Sequence, residues 1–222
     1  MEFLSHTLSF VLHIDTYLGM LFTGYGMFAY AALFLILFCE TGLVVTPFLP
    51  GDSLLFTVGA LAAGGHASLS LAWFVLVFGA ILGDSTNYFV GRTAGEKIIR
   101  SKYRVLREEH VRKTNKFYSE WGGRTIVIGR FVPIVRTFAP FVAGLGQMHY
   151  ARFLLFSVSG TILWVSLFVF GGYFFGGLPF VQNNFSAVIL AVIVTSLVPG
   201  ICEFLRAHYS KQKITQNEGA HI

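Results

Sequence analysis

The sequence is 222 residues long, and its composition excludes most classes of soluble protein. Hydrophobic residues make up 55% of the chain and charged residues only 12%, about half the roughly 25% that is usual in soluble domains. Twenty-four phenylalanines stand against 27 charged residues, which leaves too little polar surface to cover a globule in water. This argues against a soluble enzyme, a nucleic-acid-binding domain and a disordered protein, and predicts an integral membrane protein.

In chain order, the first predicted element is an amphipathic helix at the membrane interface over 1–25, where apolar residues are mixed with histidine and aspartate. A membrane domain follows over 26–205. It begins with a strongly apolar run at 27–39, which ends at Glu40.

The next stretch predicts the first re-entrant hairpin, at about 40–64. It contains Pro47, Pro50 and Gly51 between apolar runs, together with the carboxylates of Glu40 and Asp52. Such a combination indicates broken helix at membrane depth, where irregular backbone is tolerated only if protein or a watery cavity surrounds it.

A second hairpin with the same character is predicted at about 124–147, where Pro133 and Pro140 interrupt the apolar sequence. Each hairpin is followed by a run long enough to span a bilayer, which requires about 20 apolar residues. The remaining predicted elements are a span at 69–90, a basic segment at 92–123 with a surface helix, spans at 152–175 and 187–205, and a tail at 206–222.

The distribution of charge predicts the orientation. Ten of the 16 lysines and arginines lie between Arg92 and Arg124, against four acidic residues, and the tail is basic as well. Basic segments that flank spans stay in the cytoplasm, so both termini are expected to be cytoplasmic. The same positive charge could contact anionic lipid headgroups, whereas a role in binding nucleic acid is not expected.

The two hairpins can be aligned with each other. Phe48 and Pro50 match Phe131 and Pro133 at a shift of 83 residues, and Asp52 matches Arg136 at a shift of 84. The orientation deduced from charge makes the two hairpins enter the membrane from opposite sides. The sequence therefore predicts an all-α membrane protein built from two inverted repeats, an arrangement common in transporters.

Four charged residues fall within the hairpins, namely Glu40, Asp52, Arg130 and Arg136. A charge at the centre of a spanning helix costs at least about 2.5–3.5 kcal/mol, so these residues are expected to face a shared cavity. Arginine can hold a phosphate through two hydrogen bonds, and a carboxyl group in an apolar site can exchange protons. We interpret the arginines as lipid-phosphate ligands and the carboxylates as proton-coupling groups; the alternative is two salt bridges that only join the hairpins.

Other polar residues give weaker signals. Asp84 is expected to pair with Arg92 or to lie at the interface, and the three tryptophans, Trp73, Trp121 and Trp164, are expected to face lipid or anchor the interface. No metal-ligand spacing, nucleotide-binding loop or nucleophile motif is present. Neither a metal, a cofactor nor an enzymatic activity is expected.

Two long motifs resemble the signature of the bacterial DedA family, whose superfamily includes eukaryotic scramblases with a VTT domain. They are Phe38-Cys39-Glu40-Thr41-Gly42 with 47–55, and the stretch at 129–144. The resemblance runs from about residue 10 to 205. It implies a multi-pass protein of the bacterial inner membrane with re-entrant hairpins, linked to envelope integrity and the proton motive force.

The resemblance also implies a function and a site. Family members are implicated in moving undecaprenyl phosphate or phospholipids, and their acidic and arginine pairs match Glu40 with Asp52 and Arg130 with Arg136. The expected function is a proton-coupled lipid transporter, or flippase, whose partners are a phosphate-headed lipid, protons and the membrane. The alternatives are a proton-driven exporter of small cations and a lipid scramblase without proton coupling.

Overall fold

The computed structural model describes residues 14–43, 51–100, 124–192 and 194–195, which form helices joined by turns and short connections. Residues 185–192 are helical. The other helices within these ranges are α1 (Ile14–Tyr25), α2 (Met27–Gly42), α3 (Gly51–Ala63), α4 (Leu69–Arg100), α5 (Arg124–Gly129), α6 (Pro133–Leu145), α7 (Tyr150–Phe175) and α8 (Pro179–Asn183).

Two of these helices, α4 and α7, are long and apolar enough to cross a membrane. The qualifying segments are Leu69–Ala94 and Tyr150–Phe175, each of 26 residues. At 1.5 Å per residue they extend over about 39 Å, more than the roughly 30 Å hydrocarbon core of a bilayer. Large apolar side chains such as Phe74, Phe78 and Leu155 are exposed on their outer faces, as expected where lipid covers the protein.

The helix starts and ends follow from local sequence, with two differences from the prediction. α3 begins at Gly51 and α6 at Pro133, whose missing N–H is not needed in a first turn. Pro140, in contrast, does not break the chain as predicted, because it lies inside α6, where surrounding protein can compensate for the lost hydrogen bond. α4 also continues past the predicted end at 90, since no proline lies between that residue and Arg100.

We call helices α2–α4 the first half of the membrane domain and helices α5–α7 the second half. Helix α3 of the first half packs against α7 of the second half, and α6 of the second half packs in the same way against α4 of the first. Glycines mark both contacts. A β-carbon at Gly59 would overlap the carbonyl oxygen of Val169, and one at Gly144 would overlap the carbonyl oxygen of Tyr88. Small residues of this kind let membrane helices approach backbone to backbone.

The same two interfaces contain a second matched pair of glycines, on the spans. A β-carbon at Gly172 would overlap the carbonyl oxygen of Phe56, and one at Gly91 would overlap that of Phe141. The contacts are therefore reciprocal, as they are across a two-fold axis. Phe56 and Phe141, which make equivalent contacts, are 85 residues apart, whereas the sequence alignment of the two hairpins gives a shift of 84. The two values differ because apolar residues can be aligned in several registers, whereas the glycine contacts define a single register.

The larger of two clusters of buried apolar residues is formed by α1, α2, α3, α4 and α7, together with the segment that follows α7. On α1, Leu18 and Phe22 are buried in it while Tyr17 and Met20 are exposed. A second cluster surrounds Tyr88, whose hydroxyl donates to the carbonyl of Met148.

Some predicted features lie outside the described residues. These are the start of the amphipathic helix (1–13), Pro47 and Pro50, most of the basic segment with its surface helix (101–123), and the end of the last predicted span with the tail (196–222).

Candidate functional site

Arg136 of α6 lies at the centre of the polar residues buried inside the protein. Its Nη1 donates to Oδ1 of Asp52 at 2.6 Å, and its Nη2 donates to Oε1 of Glu40 at 2.7 Å. Glu40, Asp52 and Arg136 are 4%, 8% and 9% exposed, so the charges are almost fully removed from solvent. Three of the four predicted site residues therefore form a single cluster.

The two carboxylates come together because the C-terminal end of α2 lies next to the N-terminal end of α3 in space. Glu40 lies in the last turn of α2, and Asp52 lies in the first turn of α3, where a negative charge is favoured by the helix dipole. The backbone N–H of Gly51 donates to the Glu40 carboxylate. A β-carbon at Gly51 would overlap that carboxylate, so glycine at this position leaves room for the Glu40 carboxylate where it lies.

Trp164 of α7 covers this cluster and contacts both arginines. Its indole Nε1 donates to Oδ1 of Asp52 at 2.8 Å, and its ring centroid lies 4.6 Å from the guanidinium carbon of Arg136 and 5.7 Å from that of Arg130. Both distances are within the range of a cation–π interaction.

The prediction that Trp164 faces lipid or the interface is wrong, because the side chain is fully buried. Its position could have indicated this. Trp164 lies 14 residues after the start of α7, about 21 Å along the helix, far from the interfaces where tryptophan is normally enriched. Trp73 is partly buried, with its Nε1 donating to Oγ of Ser166, and Trp121 lies outside the described residues.

Arg130, the fourth predicted site residue, forms its own ion pair next to this cluster. Its Nη1 lies 2.7 Å from Oδ2 of Asp84, and Oγ of Ser157 donates to the same oxygen at 2.5 Å. Arg130 and Asp84 are 2% and 1% exposed. Asp84 is also close enough to Arg136 to interact with it electrostatically, so the two pairs belong to one network.

The expected pairing of Asp84 with Arg92 is thus wrong. Eight residues separate them on α4, which places their backbones about 12 Å apart along the axis and about 80° apart around it. Asp84 faces the protein interior, whereas Arg92 is exposed. Sequence could identify Asp84 as a charge in a span, which marks a functional candidate, but could not identify its partner.

Asn87 connects the two halves next to the charged residues. Its Nδ2 donates to the backbone carbonyls of Thr41 and Thr137, at 3.1 and 2.8 Å. Thr41 directly follows Glu40, and Thr137 directly follows Arg136. Asn87 therefore holds the two helix segments that carry this ion pair in register, a role that sequence analysis missed.

An apolar cavity of about 420 Å³ opens beside the cluster. Asp52 and Trp164 provide its polar wall, and the other lining residues are Phe131, Leu167, Phe168, Val188, Ala191, Val192 and Thr195. Its volume is within the roughly 300–1,000 Å³ typical of ligand pockets. Buried charge and apolar space are thus adjacent, which suits a ligand with a charged head and an apolar chain.

Charge counting gives the site an electrostatic asymmetry. Among the described residues, three buried carboxylates (Glu40, Asp52 and Asp84) face two buried guanidinium groups. With all five ionised the network carries one net negative charge, and uptake of one proton neutralises it. No group of three or more His, Cys, Asp or Glu side chains that could hold a metal ion occurs in the described part of the chain.

Comparison with known proteins identifies the family of this chain. The VTT domain family model matches residues 49–174, more than half of the chain. The chain is also 50% identical to Protein DedA of Escherichia coli (strain K12), over 93% of this chain and 95% of that protein. This chain belongs to the DedA family. The resemblance noted from the sequence motifs is confirmed, and the protein is a membrane protein.

More distant relatives of this DedA-family protein are also named as membrane proteins. An uncharacterized membrane protein of Mycobacterium tuberculosis (strain ATCC 25618 / H37Rv), Rv0364, is 37% identical over 87% of each chain. Inner membrane protein YqjA of Escherichia coli (strain K12) is 32% identical over 82% of this chain and 85% of its own. No solved structure matches the chain significantly.

Proposed function

We propose that this DedA-family protein is a proton-coupled transporter that moves a phosphate-headed lipid between the leaflets of a bacterial inner membrane. The substrate is undecaprenyl phosphate or a phospholipid. The observation that carries the proposal is a buried arginine, Arg136, bound by Glu40 and by Asp52, the second of which lines an apolar cavity.

The contacts of Arg136 suggest how protons and lipid are linked. Its guanidinium is a natural phosphate ligand, but Glu40 and Asp52 occupy both of its terminal nitrogens. To bind Arg136 through the N–H groups that these carboxylates now occupy, a lipid phosphate would displace them, and it would add negative charge to a network that already carries an excess of one. Because unpaired buried charge is costly, protonation of Glu40 or Asp52 should accompany phosphate binding, and deprotonation should release the headgroup.

The reciprocal packing of the two halves supports a route across the membrane. We infer that the segments before α4 and α7 are re-entrant hairpins of opposite orientation, with both termini in the cytoplasm. In transporters with inverted repeats, the site lies at the repeat interface and the two halves rock around it. Glu40 and Asp52 come from the first half and Arg136 from the second, so a change at their contact could be coupled to such a motion.

Lipid movement by the purified protein in proteoliposomes tests this proposal. We expect Arg136→Ala and Asp52→Ala to slow transfer of labelled undecaprenyl phosphate at least tenfold, or about 1.4 kcal/mol in barrier height. Arg152→Ala is the matched control, because Arg152 is exposed at the start of α7 and its loss should leave the rate unchanged. Wild-type rates in the Arg136 and Asp52 variants would refute the assigned roles.

Alternative functions predict different results in the same assay. A small-cation exporter needs the carboxylates but not the arginines, and it moves no lipid. A structural protein whose charges only join the hairpins should regain full function when Asp52→Arg is combined with Arg136→Asp, since a phosphate site should not survive that exchange. Release of inorganic phosphate from the lipid would instead indicate a membrane phosphatase.

A further inference from the structure

Arg130 and Arg136 are not equivalent in their hydrogen bonding. Both terminal nitrogens of Arg136 donate to carboxylates. Arg130 uses Nη1 to bind Asp84, while its Nε and Nη2 are buried without a hydrogen-bond partner. More than nine in ten buried polar groups normally have a partner, so two unpaired donors on one side chain that is only 2% exposed call for an explanation.

The two unpaired donors are on the same edge of the guanidinium plane. Nε and Nη2 carry parallel N–H groups whose spacing matches two oxygens of one phosphate or carboxylate group. Both terminal nitrogens of Arg136 are instead engaged by carboxylates, and no buried unpaired donor is found on this side chain. An arriving anion therefore meets an available two-donor edge at Arg130 and an occupied guanidinium at Arg136.

Three residues fix the position of this edge. Asp84 accepts from Nη1 of Arg130, and Ser157 donates to the same Asp84 oxygen. Gly160, one turn further along α7, lies against the stem of Arg130, since a β-carbon there would be in ordinary contact with the arginine Cδ, at 3.4 Å. The free edge is thus held by residues that do not themselves need to touch the ligand.

The apolar cavity lies close to Arg130. Phe131, the next residue in the chain, lines the cavity, and so does Trp164, whose ring is 5.7 Å from the Arg130 guanidinium carbon. A ligand whose anionic head binds Arg130 therefore has apolar space nearby for its chain.

We propose that the Nε–Nη2 edge of Arg130 is the first docking point for the phosphate group, and that Asp84 and Ser157 are positioning residues for it. This inference rests on the proposed function and divides the roles of the two arginines. Arg130 binds the phosphate first, and Arg136 binds it only after its hydrogen bonds to Glu40 and Asp52 have broken. Binding should therefore depend mainly on Arg130, and transport on both.

Lysine variants of the purified full-length protein separate these roles, because lysine keeps the charge but lacks the two-donor edge. We expect Arg130→Lys to weaken binding of undecaprenyl phosphate by about tenfold or more, and Arg136→Lys by less than about threefold, as measured by dissociation constants. Binding of undecaprenol, which has the same chain without phosphate, should be equal in both. Arg152→Lys is the matched control for the substitution itself.

A milder pair of variants tests the positioning role without removing a charge. Ser157→Ala deletes a donor to Asp84, whereas Ser159→Ala, on the exposed face of the same helix, deletes a hydroxyl that bonds only backbone carbonyls of α7. Ser157→Ala should weaken binding of undecaprenyl phosphate about threefold and leave undecaprenol binding unchanged. Equal affinity for undecaprenyl phosphate in the two serine variants would refute the positioning role.

Competition assays identify the source of the phosphate. If inorganic phosphate and phosphatidic acid both displace undecaprenyl phosphate, the edge recognises the phosphate group itself; if only phosphatidic acid does, it recognises a lipid headgroup, and either result supports the site. Arg130→Lys binding like wild type, while Arg136→Lys loses affinity, would overturn the inference alone. A wild-type protein that binds undecaprenyl phosphate no better than undecaprenol would overturn the proposed function as well.

Discussion

Arg136 shows why a few charged residues can be informative in a chain that is 12% charged. A buried ion pair contributes little net stability, but removal of one partner leaves an uncompensated charge that costs about 3–5 kcal/mol. Glu40, Asp52 and Arg136 are thus mutually dependent. Their retention inside an apolar protein fits a role in exchange of protons and phosphate better than a role as a joint between helices.

Trp164 provides a test at the residue scale. Trp164→Phe keeps an aromatic ring beside both arginines but removes the hydrogen bond to Asp52. We expect lipid transfer in proteoliposomes to fall by about tenfold or more, since a hydrogen bond to a charged group is worth about 1.5–3 kcal/mol and about 1.4 kcal/mol corresponds to a tenfold change in rate.

Trp73→Phe is the matched control, because Trp73 also donates a hydrogen bond, to Ser166, at a distance from the ion pairs. Its rate should remain within about twofold of wild type, a difference of roughly 0.4 kcal/mol. Equal losses in the two tryptophan variants would show that the contact with Asp52 has no special importance.

The charges of the candidate site could be identified from sequence, but their partners could not. Charge in an apolar run is visible in any sequence, so Glu40, Asp52, Arg130 and Arg136 were identified. Partners are set by helix packing, which neither spacing nor hydrophobicity encodes. That is why Asp84 was expected to pair along its own helix.

At the scale of the helices, the close α3–α7 and α4–α6 contacts lead to a test with neighbouring glycines. A β-carbon at Gly172 would overlap the Phe56 carbonyl, whereas nothing lies within 4 Å of one at Gly171. We expect Gly172→Ala to destabilise the protein by about 1–3 kcal/mol through overpacking, and Gly171→Ala to be neutral or slightly stabilising.

Thermal unfolding in detergent measures both variants. Because Gly91 makes the reciprocal contact with Phe141, Gly91→Ala should destabilise the protein about as much as Gly172→Ala. Equal stability of the Gly171 and Gly172 variants would contradict the close helix approach, and a neutral Gly91→Ala would contradict the equivalence of the two interfaces.

The elements themselves were largely predictable, since long apolar runs and clustered prolines are strong local signals. The extent of α4 and the continuity of α6 were not. Nothing in the basic residues after 90 prevents helix, and Pro140 is accommodated by its surroundings. A local rule about helix breakers cannot include such compensation by neighbouring helices.

At the scale of the whole molecule, the proposed inverted repeats assign the loops before α4 and α7 to opposite sides of the membrane. His66 and His149 are exposed in these two loops, and they offer a matched pair for labelling. In a chain whose own Cys39 and Cys202 are replaced by serine, His66→Cys should react with an impermeant thiol reagent added from the periplasm. His149→Cys should react only after the cytoplasmic face is opened.

Labelling of both positions from the same side would exclude the inverted arrangement, whatever the activity of the protein. The expectation follows from the basic residues after 91, which predict a cytoplasmic position for that segment, and from a proposed single crossing by each of α4 and α7. Sequence could predict the apolar helices and propose this arrangement, whereas the register of the two halves required the glycine contacts.

The central claim is that Glu40 and Asp52 compete with a lipid phosphate for Arg136, and that protonation of these carboxylates favours the phosphate. It is tested most directly by lipid transfer under an imposed proton gradient. Wild-type proteoliposomes should move undecaprenyl phosphate faster with the gradient than after its collapse by an ionophore. Glu40→Gln combined with Asp52→Asn should bind the lipid but lose this response. Equal wild-type rates with and without the gradient would contradict the claim and favour a scramblase.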